Sequence, residues 1–315
     1  EDGTLGSDDL LGTSLADTFD GDIGDDNIYG FSGDDVIDAS KGNDLLYGGK
    51  GNDSLVAGEG DDKAYGGEGN DTLIGGTGND ILHGGNGDDL LLANHSPFEF
   101  AHYDQNTYVG GLGNDVIKST TSADTYLYEL GDGNDIIEDH GSSYSMYHTV
   151  DKIVLGEGIT VANIGLVIDG DDLIIGITSP HNHQRETITI IGGASHSIQK
   201  IEELHFTDGT VITGDWTTQL LTEELGTLAN DEIDGSNSST KISGFAGDDF
   251  IDANNGDDVV FGGAGNDTIY GAYGNNFLDG GSGDDQLYIG TSAYYQYKAY
   301  SNTFVGGLGD DFMMG

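Results

Sequence analysis

The sequence has no cysteine, only two prolines and few basic residues among its 315 residues. Without cysteine the chain has no disulfide framework, no thiolate metal site and no catalytic thiol. Nine lysines and arginines stand against 57 aspartates and glutamates, which gives a formal net charge of −48. Because such a surface repels phosphate, we expect no nucleic-acid partner. No apolar run reaches the ~18 residues of a membrane-spanning helix, so we predict no transmembrane segment.

Glycine is the residue that the sequence has in excess. It contributes 55 residues, against a usual share of about 7%. Low hydrophobicity combined with a large net charge is typical of disordered chains. The chain is therefore either disordered, or folded with a partner that neutralises its acids.

The sequence repeats every nine residues. Ten nonapeptides follow one another without a gap from Gly3 to Leu92, and seven more run from Gly226 to Tyr288. We number the positions of each unit from one to nine. Position six is Asp in every unit of the first array, position eight is apolar, and position four is Gly except at Leu15. In the second array Thr240 and Asn276 replace the position-six Asp.

The two arrays are copies of each other, with Gly84 corresponding to Gly280 and Gly110 to Gly306. Each is interrupted by an insert of the same length, Ala93–Val109 and Ile289–Val305, and each insert is followed by a further Gly-Gly-Leu-Gly turn. A duplication within one chain indicates that both arrays adopt the same fold.

The last three positions of each unit alternate like a half-buried strand, and the glycine-rich positions before them form a turn. Repeated turns and strands make a solenoid of stacked parallel strands. Two units make one coil, so position-eight side chains fill the interior of two facing sheets. On the outside, position nine places Tyr29, Tyr47 and Tyr65 in one column and Val56, Ile74 and Leu92 in another.

The turns of this solenoid present a problem of charge. Each column carries a carboxylate in every coil, about 4.8 Å apart along the stack. A divalent cation between successive turns removes the repulsion, and Ca²⁺ accepts both carboxylate and backbone carbonyl oxygens.

The motif Gly-Gly-x-Gly-x-Asp-x-U-x, in which U is a large apolar residue, is matched best at Gly66–Ile74 and Gly262–Tyr270. It resembles the calcium-binding nonapeptide of RTX (repeats-in-toxin) proteins. The resemblance implies an all-β, right-handed parallel β-roll that binds about ten Ca²⁺ ions. It also implies that the position-six acids are the calcium ligands. These are Asp8, Asp17, Asp26, Asp35, Asp44, Asp53, Asp62, Asp71, Asp80, Asp89, Asp115, Asp124, Asp135, Asp231, Asp249, Asp258, Asp267, Asp285 and Asp311.

Between the arrays the ninefold pattern gives way to short strand-like runs. We predict strands at Lys152–Leu155, Ile164–Ile168, Leu173–Ile177, Thr187–Ile191, Ile201–Phe206 and Val211–Thr213. This stretch resembles the haemolysin-type calcium-binding-related domain, which implies a structural module without known chemistry. The predicted organisation is a first array at 3–118, a β-rich segment at 119–216 and a second array at 226–315.

No catalytic motif stands out in the sequence. There is no G-x-S-x-G, no H-E-x-x-H and no phosphate-binding loop. His181 and His183 lie in a polar loop, where a histidine pair is more often solvated than bound to zinc. The chain has enough paired acidic residues to supply the two catalytic carboxylates of a glycosidase. Calcium ligation explains these acidic residues better. We therefore expect no catalytic residues in this chain.

The aromatic residues of the two inserts are the candidates for ligand binding. Aromatic rings on a loop of a rigid scaffold can stack on sugars or anchor a partner. The competing interpretation, which we favour, is that the inserts fold back and cover an open sheet edge. The residues concerned are Phe98, Phe100, Tyr103, Tyr294, Tyr295, Tyr297 and Tyr300.

Three functions remain open at this point. The first is a structural and interaction module of a secreted or cell-surface, adhesin-like protein that folds on binding calcium outside the cell. The second is a module that binds a glycan or another surface through its aromatic inserts. The third is the non-catalytic scaffold of a secreted enzyme. The RTX resemblance implies type I secretion from a Gram-negative bacterium. The chain has no initiating Met and stops one residue into a new unit, so we expect a piece of a longer protein.

Overall fold

The computed structural model describes residues 2–94, 104–119, 123–139, 150–169, 171–178, 185–192, 201–214, 216, 220, 222–290 and 300–315. Within these ranges the chain is all-β, with 30 strands and a single 3₁₀ turn at Val161–Asn163. It forms two compact units. One comprises Glu1–Ile164 and Ile168–Trp216, and the other comprises Gly165–Val167 and Thr217–Gly315.

The first unit contains two sheets, to which the strands up to Leu155 contribute alternately. Its strands, with β16 extending into the second unit, are β1 Asp9–Leu11, β2 Thr18–Asp20, β3 Asn27–Ser32, β4 Val36–Asp38, β5 Leu45–Lys50, β6 Ser54–Glu59, β7 Lys63–Glu68, β8 Thr72–Thr77, β9 Ile81–Asn86, β10 Leu90–Leu92, β11 Thr107–Leu112, β12 Val116–Lys118, β13 Thr125–Tyr128, β14 Asn134–Glu138, β15 Lys152–Leu155, β16 Ile164–Asp169, β17 Asp172–Thr178, β18 Arg185–Ile190, β19 Glu203–His205 and β20 Val211–Thr213.

The second unit repeats this arrangement with two further rows of parallel strands. Its strands are β21 Thr222–Leu225, β22 Glu232–Asp234, β23 Thr240–Ala246, β24 Phe250–Asp252, β25 Val259–Ala264, β26 Thr268–Tyr270, β27 Phe277–Ser282, β28 Gln286–Tyr288, β29 Thr303–Leu308 and β30 Phe312–Met314.

The register of the stack is one coil of two nonapeptides. In β6 and β8, Leu55 pairs with Leu73 and Val56 with Ile74, in parallel. The prediction of an all-β parallel β-roll is confirmed. It succeeds because a two-residue periodicity at positions seven to nine, separated by glycine turns, leaves the chain few ways to bury its apolar side chains.

The interior is thin, as the pattern predicts. Leu46, Leu55, Leu73, Leu82 and Leu91, all at position eight, have no exposed side-chain surface. The second unit has an equivalent core, formed by Ile242, Ile251, Ala253, Val260, Ile269, Leu278 and Leu287. Each coil supplies only two such side chains, so the core alone gives the stack little cohesion.

The outer faces carry the predicted ladders. The rings of Tyr29, Tyr47 and Tyr65 stack with centroids 5.2 and 4.9 Å apart. In the second unit Tyr270 stacks on Tyr288 in the same way, with centroids 4.9 Å apart. Cross-strand ring stacking of this kind stabilises neighbouring strands.

In the segment after the first array the stack changes from parallel to antiparallel pairing. The parallel row continues through β13, β15 and β19, and then β20 pairs with β19 in the antiparallel sense. Likewise β18 stacks in parallel on β14 and pairs with β17 antiparallel. The strands predicted here are all present; two have the predicted bounds, and the ends of the other four differ by at most two residues. The division into three segments stays a prediction, since the first array and most of this segment share one unit.

The inserts are shorter than the sequence indicated. Residues Asn106–Val109 and Asn302–Val305 lie in the regular stack, because Thr107 pairs with Ile81 and Thr303 pairs with Phe277. At both places the sequence separation between stacked residues is 26, where an ordinary coil has 18. The coil that contains each insert is therefore eight residues longer than an ordinary coil.

We predict that Leu73→Ala destabilises the folded chain by about 2–5 kcal/mol, because it removes interior volume that the thin core cannot refill. Thr72→Ala, on the outer face of the same strand, is the matched control and should change the free energy of unfolding by about 0.5 kcal/mol or less. Denaturant unfolding measures both. Equal losses for the two variants would contradict the assignment of position eight to the core.

Candidate metal centre

The position-six carboxylates line the turns in two columns, one beside each sheet of the stack. In each column the backbone N–H of one position-six residue donates to Oδ1 of the position-six residue one coil later. Asp44 donates in this way to Asp62, and Asp53 to Asp71, both at 2.7 Å. The carboxylates are thus held in register by the backbone of the preceding coil.

The ladder uses only Oδ1 of each position-six carboxylate, and the second oxygen, Oδ2, takes no part in it. Asp62 and Asp71 are 1% and 2% exposed, and Oδ2 of each has no hydrogen-bond partner. The same is true of Oδ2 in Asp26, Asp35, Asp44, Asp53, Asp80, Asp89, Asp115, Asp249, Asp258, Asp267 and Asp285. A buried, ionised oxygen without a partner is costly, and a whole series of such oxygens is the kind of donor set that binds cations.

Backbone carbonyls approach the same oxygens. A side chain on Gly66, at position one, would collide with Oδ2 of Asp71 and also with the carbonyl oxygen of Gly84 in the next coil, 2.6 Å from the added carbon. The same convergence recurs at Gly262 with Asp267 and Gly280. In these two units the absence of a side chain leaves this space clear, whereas Ala39, Ala57 and Ala253 occupy position one in other units with an unpartnered Oδ2.

This set of atoms fits calcium and does not fit a soft metal. Ca²⁺ takes carboxylate and backbone carbonyl oxygens in flexible geometry. Among the residues that the structure describes, no three His, Cys, Asp or Glu side chains gather into a metal site. A cation here would therefore be held by few carboxylates and completed by backbone carbonyls.

Burial changes the titration of these acids. It raises the pKa of Asp44, Asp62 and Asp80 to about 7 and that of Asp53 to about 6. Hydrogen bonds from the backbone lower these pKa values and the charges of neighbouring aspartates raise them, but loss of solvent is the largest cause. In the absence of a cation, the folded state therefore favours protonated carboxylates.

Position five forms a second ladder on the exposed side of the turns. Its side-chain oxygens accept the N–H of the residue one coil later. Asn43 Oδ1 accepts from Asp61, and Asp61 Oδ1 accepts from Asn79, both at 2.8 Å. This role was not predicted from the sequence. The pattern that indicates it is that position five is Asp or Asn in most units. Alternation of Asp with Asn keeps like charges apart in this column.

Not every predicted ligand lies in the same environment. Asp124 and Asp135 are buried and continue the ladder, accepting from Asn106 and Asp115 through Oδ1. Asp311 is partly exposed and accepts from Asp285. The acids of the first coils, Asp8, Asp17 and Asp231, differ because threonine side chains occupy their Oδ2 atoms.

The structure adds members to the ladder that sequence reasoning did not select. Asn106, Asn302 and Asp151 accept the N–H of Asp80, Asn276 and Asp124 through Oδ1. All three directly precede an alternating strand triplet, and that placement is the signal that could have found them.

Asn276 replaces the acid at position six, and both polar atoms of its side chain form hydrogen bonds within the protein. Its Oδ1 accepts the N–H of Asp258 at 2.8 Å, and its Nδ2 donates to the Gly271 carbonyl. This turn is therefore satisfied by an amide.

The aromatic residues of the inserts are mostly not described. Phe98, Phe100, Tyr103, Tyr294, Tyr295 and Tyr297 lie outside the described residues. Tyr300 is described and partly buried, with its ring edge-on to Tyr273 at 6.5 Å between centroids. That contact favours packing as the role of Tyr300.

Comparison with known families explains the oxygen-lined turns. A sequence profile of the RTX calcium-binding nonapeptide repeat, which spans four copies, matches residues 2–30, 29–64, 65–94, 225–260, 252–287 and 298–315. The chain belongs to the RTX calcium-binding nonapeptide repeat family. RTX nonapeptides bind calcium, so the chain is a calcium-binding module of an RTX protein. RTX repeat proteins are typically secreted by Gram-negative bacteria.

Other comparisons add little to this RTX assignment. No curated protein sequence matches the chain. Among solved structures it is similar to the extracellular lipase LipA from Serratia marcescens, with 15% identity and a TM-score of 0.19. The match covers 83% of this chain and 38% of the lipase, and similarity at this level carries no argument about activity. Within the described ranges, no helix is long and apolar enough to cross a membrane.

The raised pKa values predict how the calcium-free chain responds to pH. Burial raises the pKa of Asp44, Asp62, Asp80 and Asp89 to about 7 in the folded state, whereas a free aspartate has a pKa of about 3.9. The folded state therefore binds more protons, and its stability falls as pH rises from about 4 to about 7. In excess chelator we expect more β-structure by circular dichroism at pH 5 than at pH 8. Less β-structure at pH 5 would contradict the burial of these carboxylates in the calcium-free fold.

Proposed function

We propose that this chain is a calcium-gated structural and interaction module of a secreted or cell-surface RTX protein, adhesin-like in role. The observation that carries the proposal is the series of buried position-six carboxylates whose Oδ2 atoms have no partner. They make the fold dependent on a cation that the chain does not itself provide.

If folding requires calcium, the module is folded or unfolded according to the calcium concentration on each side of the cell envelope. Extracellular calcium modules bind at about 10⁻⁴–10⁻³ M, and metal binding of this kind supplies the free energy of folding. The chain would then stay unfolded at the low calcium concentration inside a cell, in a state suited to type I secretion, and would fold outside. The absence of cysteine agrees with this route, because no disulfide has to form.

The architecture favours a role as a structural element or a docking module. Parallel strands linked coil by coil through two side-chain ladders make a stiff element with few side chains free for chemistry. The expectation that this part of the protein has no catalytic role stays a prediction. A glycan-binding role through the aromatic inserts also stays a prediction, and the packing of Tyr300 on Tyr273 does not favour it.

The first test is calcium-dependent folding. We expect circular dichroism to show a gain of β-structure on adding millimolar Ca²⁺ and its loss on adding excess chelator, because only the cation offsets the stacked acids. Mg²⁺ serves as the control. It prefers a rigid octahedral shell and retains its water, so it should be far less effective. A chain folded equally well in chelator would overturn the proposal.

Two adjacent aspartates offer a matched test of the ligand assignment. Asp62 is buried, whereas Asp61 is exposed and lies in the position-five ladder between asparagines. Asp62→Asn removes the buried charge but keeps the Oδ1 acceptor for Asp44. We expect it to reduce the number of bound Ca²⁺ ions and to raise the calcium midpoint of folding several-fold. Asp61→Asn, with the same change in charge, should leave both close to wild type. Calcium titration by calorimetry measures both, and equal effects of the two substitutions would reject position six as the ligand.

A further inference from the structure

The first coil of each array closes its turns with side chains of its own. Thr4 stands at position two of the first unit, and both its backbone N–H and its hydroxyl donate to Oδ2 of Asp8, at 2.6 and 2.9 Å. Thr13 makes the same two bonds to Asp17. These are the carboxylate oxygens that remain without a partner in later coils.

The second array begins in the same way. Thr227 donates to Oδ2 of Asp231 through its N–H at 2.6 Å and through its hydroxyl at 2.9 Å. In the next unit Ser236 stands at position two, and its hydroxyl lies 2.8 Å from that of Thr240 at position six. Both units of this coil are therefore satisfied internally.

Units with an open carboxylate have a different backbone at position two. There the residue is usually glycine with positive φ, but Asp22, Phe31, Ser40, Phe245 and Asn254 also adopt φ between 63° and 73°. Each belongs to a unit whose position-six Asp has an unpartnered Oδ2. The left-handed conformation is unfavourable for a non-glycine residue, and such strain is typical of functional sites.

Phe31 packs only partly in this strained conformation. Its side chain is 52% exposed, and its ring lies 6.4 Å from that of Tyr29. The consequence of its conformation is that Oδ2 of Asp35 receives no donor from its own turn. Strain at position two thus keeps the carboxylate open for a ligand from outside the chain.

From this contrast we infer that position two decides whether an RTX nonapeptide of this chain takes calcium. A Thr or Ser in an ordinary conformation closes the turn on its own carboxylate, and a left-handed residue leaves it open. The first coils, Gly3–Asp20 and Gly226–Ser243, are then metal-free start caps. Asp8, Asp17 and Asp231 act there as capping residues and do not ligate calcium through Oδ2.

A buried ion pair joins the second start cap to the strand Thr222–Leu225. Lys241 is 3% exposed, and its Nζ lies 3.2 Å from Oε1 of Glu223, whose side chain is fully buried. The Lys241 ammonium also faces the ring of Phe261, 5.9 Å from its centroid. This coil therefore contains a fixed cation of its own, in the unit where Thr240 replaces the acid.

The inference rests on the proposed function, and Phe31 offers the sharpest test of it. Phe31→Thr should close the turn on Asp35, so that the protein binds one Ca²⁺ ion fewer than wild type. Phe31→Gly, the matched control, relieves the strain but leaves the turn open, and should bind as many ions as wild type. Native mass spectrometry in excess calcium counts the ions.

The reverse substitution provides a second, independent measurement. Thr4→Gly creates the full motif at Gly3–Asp8 and should add one bound ion. A second readout is the calcium-free β-signal at pH 8, which Phe31→Thr should raise relative to Phe31→Gly. If Phe31→Thr does not fold, the Thr4→Gly count decides.

The outcomes separate the two claims. A wild-type chain that binds no calcium would refute the proposed function itself. A wild-type chain that binds calcium, with unchanged ion counts in both Phe31→Thr and Thr4→Gly, would leave the proposed function standing and overturn the role of position two.

Discussion

The other features of this fold depend on the electrostatic repulsion among the buried carboxylates at position six. Two unit charges about 5 Å apart repel by about 3 kcal/mol at an effective dielectric constant of 20, and each column repeats the contact in coil after coil. The interior offers only two apolar side chains per coil in return. That is too little to offset the ordering of two nonapeptides, at about 1–2 kcal/mol per residue. In the proposed function the fold and its metal are one thermodynamic unit, and the 19 predicted ligands make up a third of the 57 acidic residues.

The remaining features of the turn can be understood as ways of presenting these carboxylates. The backbone of the preceding coil fixes Oδ1, the small residue at position one leaves room for Oδ2 and a carbonyl oxygen, and the conformation at position two decides whether an internal donor reaches Oδ2. Position five supports the same turn from the solvent side with hydrogen bonds that run in the opposite direction. Each coil is thus tied to both neighbours, although few of its side chains are large.

Much of this arrangement was predictable from the sequence, because nine-residue periodicity constrains both the strand register and the side-chain faces. Leu73 in the core, Tyr47 in the outer ladder and Asp71 in the column lie where their positions in the repeat put them. Prediction failed where the surroundings of a residue matter more than its position. Asp8 and Asp71 have the same place in the repeat, yet only the structure shows that Thr4 has already occupied the oxygen of Asp8. The inserts were overestimated for a related reason, since Asn106 continues the ladder although it is not an acid.

The coil register also bears on how such a chain changes length during evolution. Gly30–Asp53 is similar in sequence to Gly244–Asp267, whereas among the later units Gly84 corresponds to Gly280. The offsets of these two correspondences differ by one coil. Gain or loss of a whole coil preserves both ladders and the stacked rings, whereas gain or loss of a single nonapeptide would exchange the two columns and set Tyr47 against Val56. Changes of length are thus tolerated in steps of two repeats, and between the two correspondences the first array holds one such step more than the second.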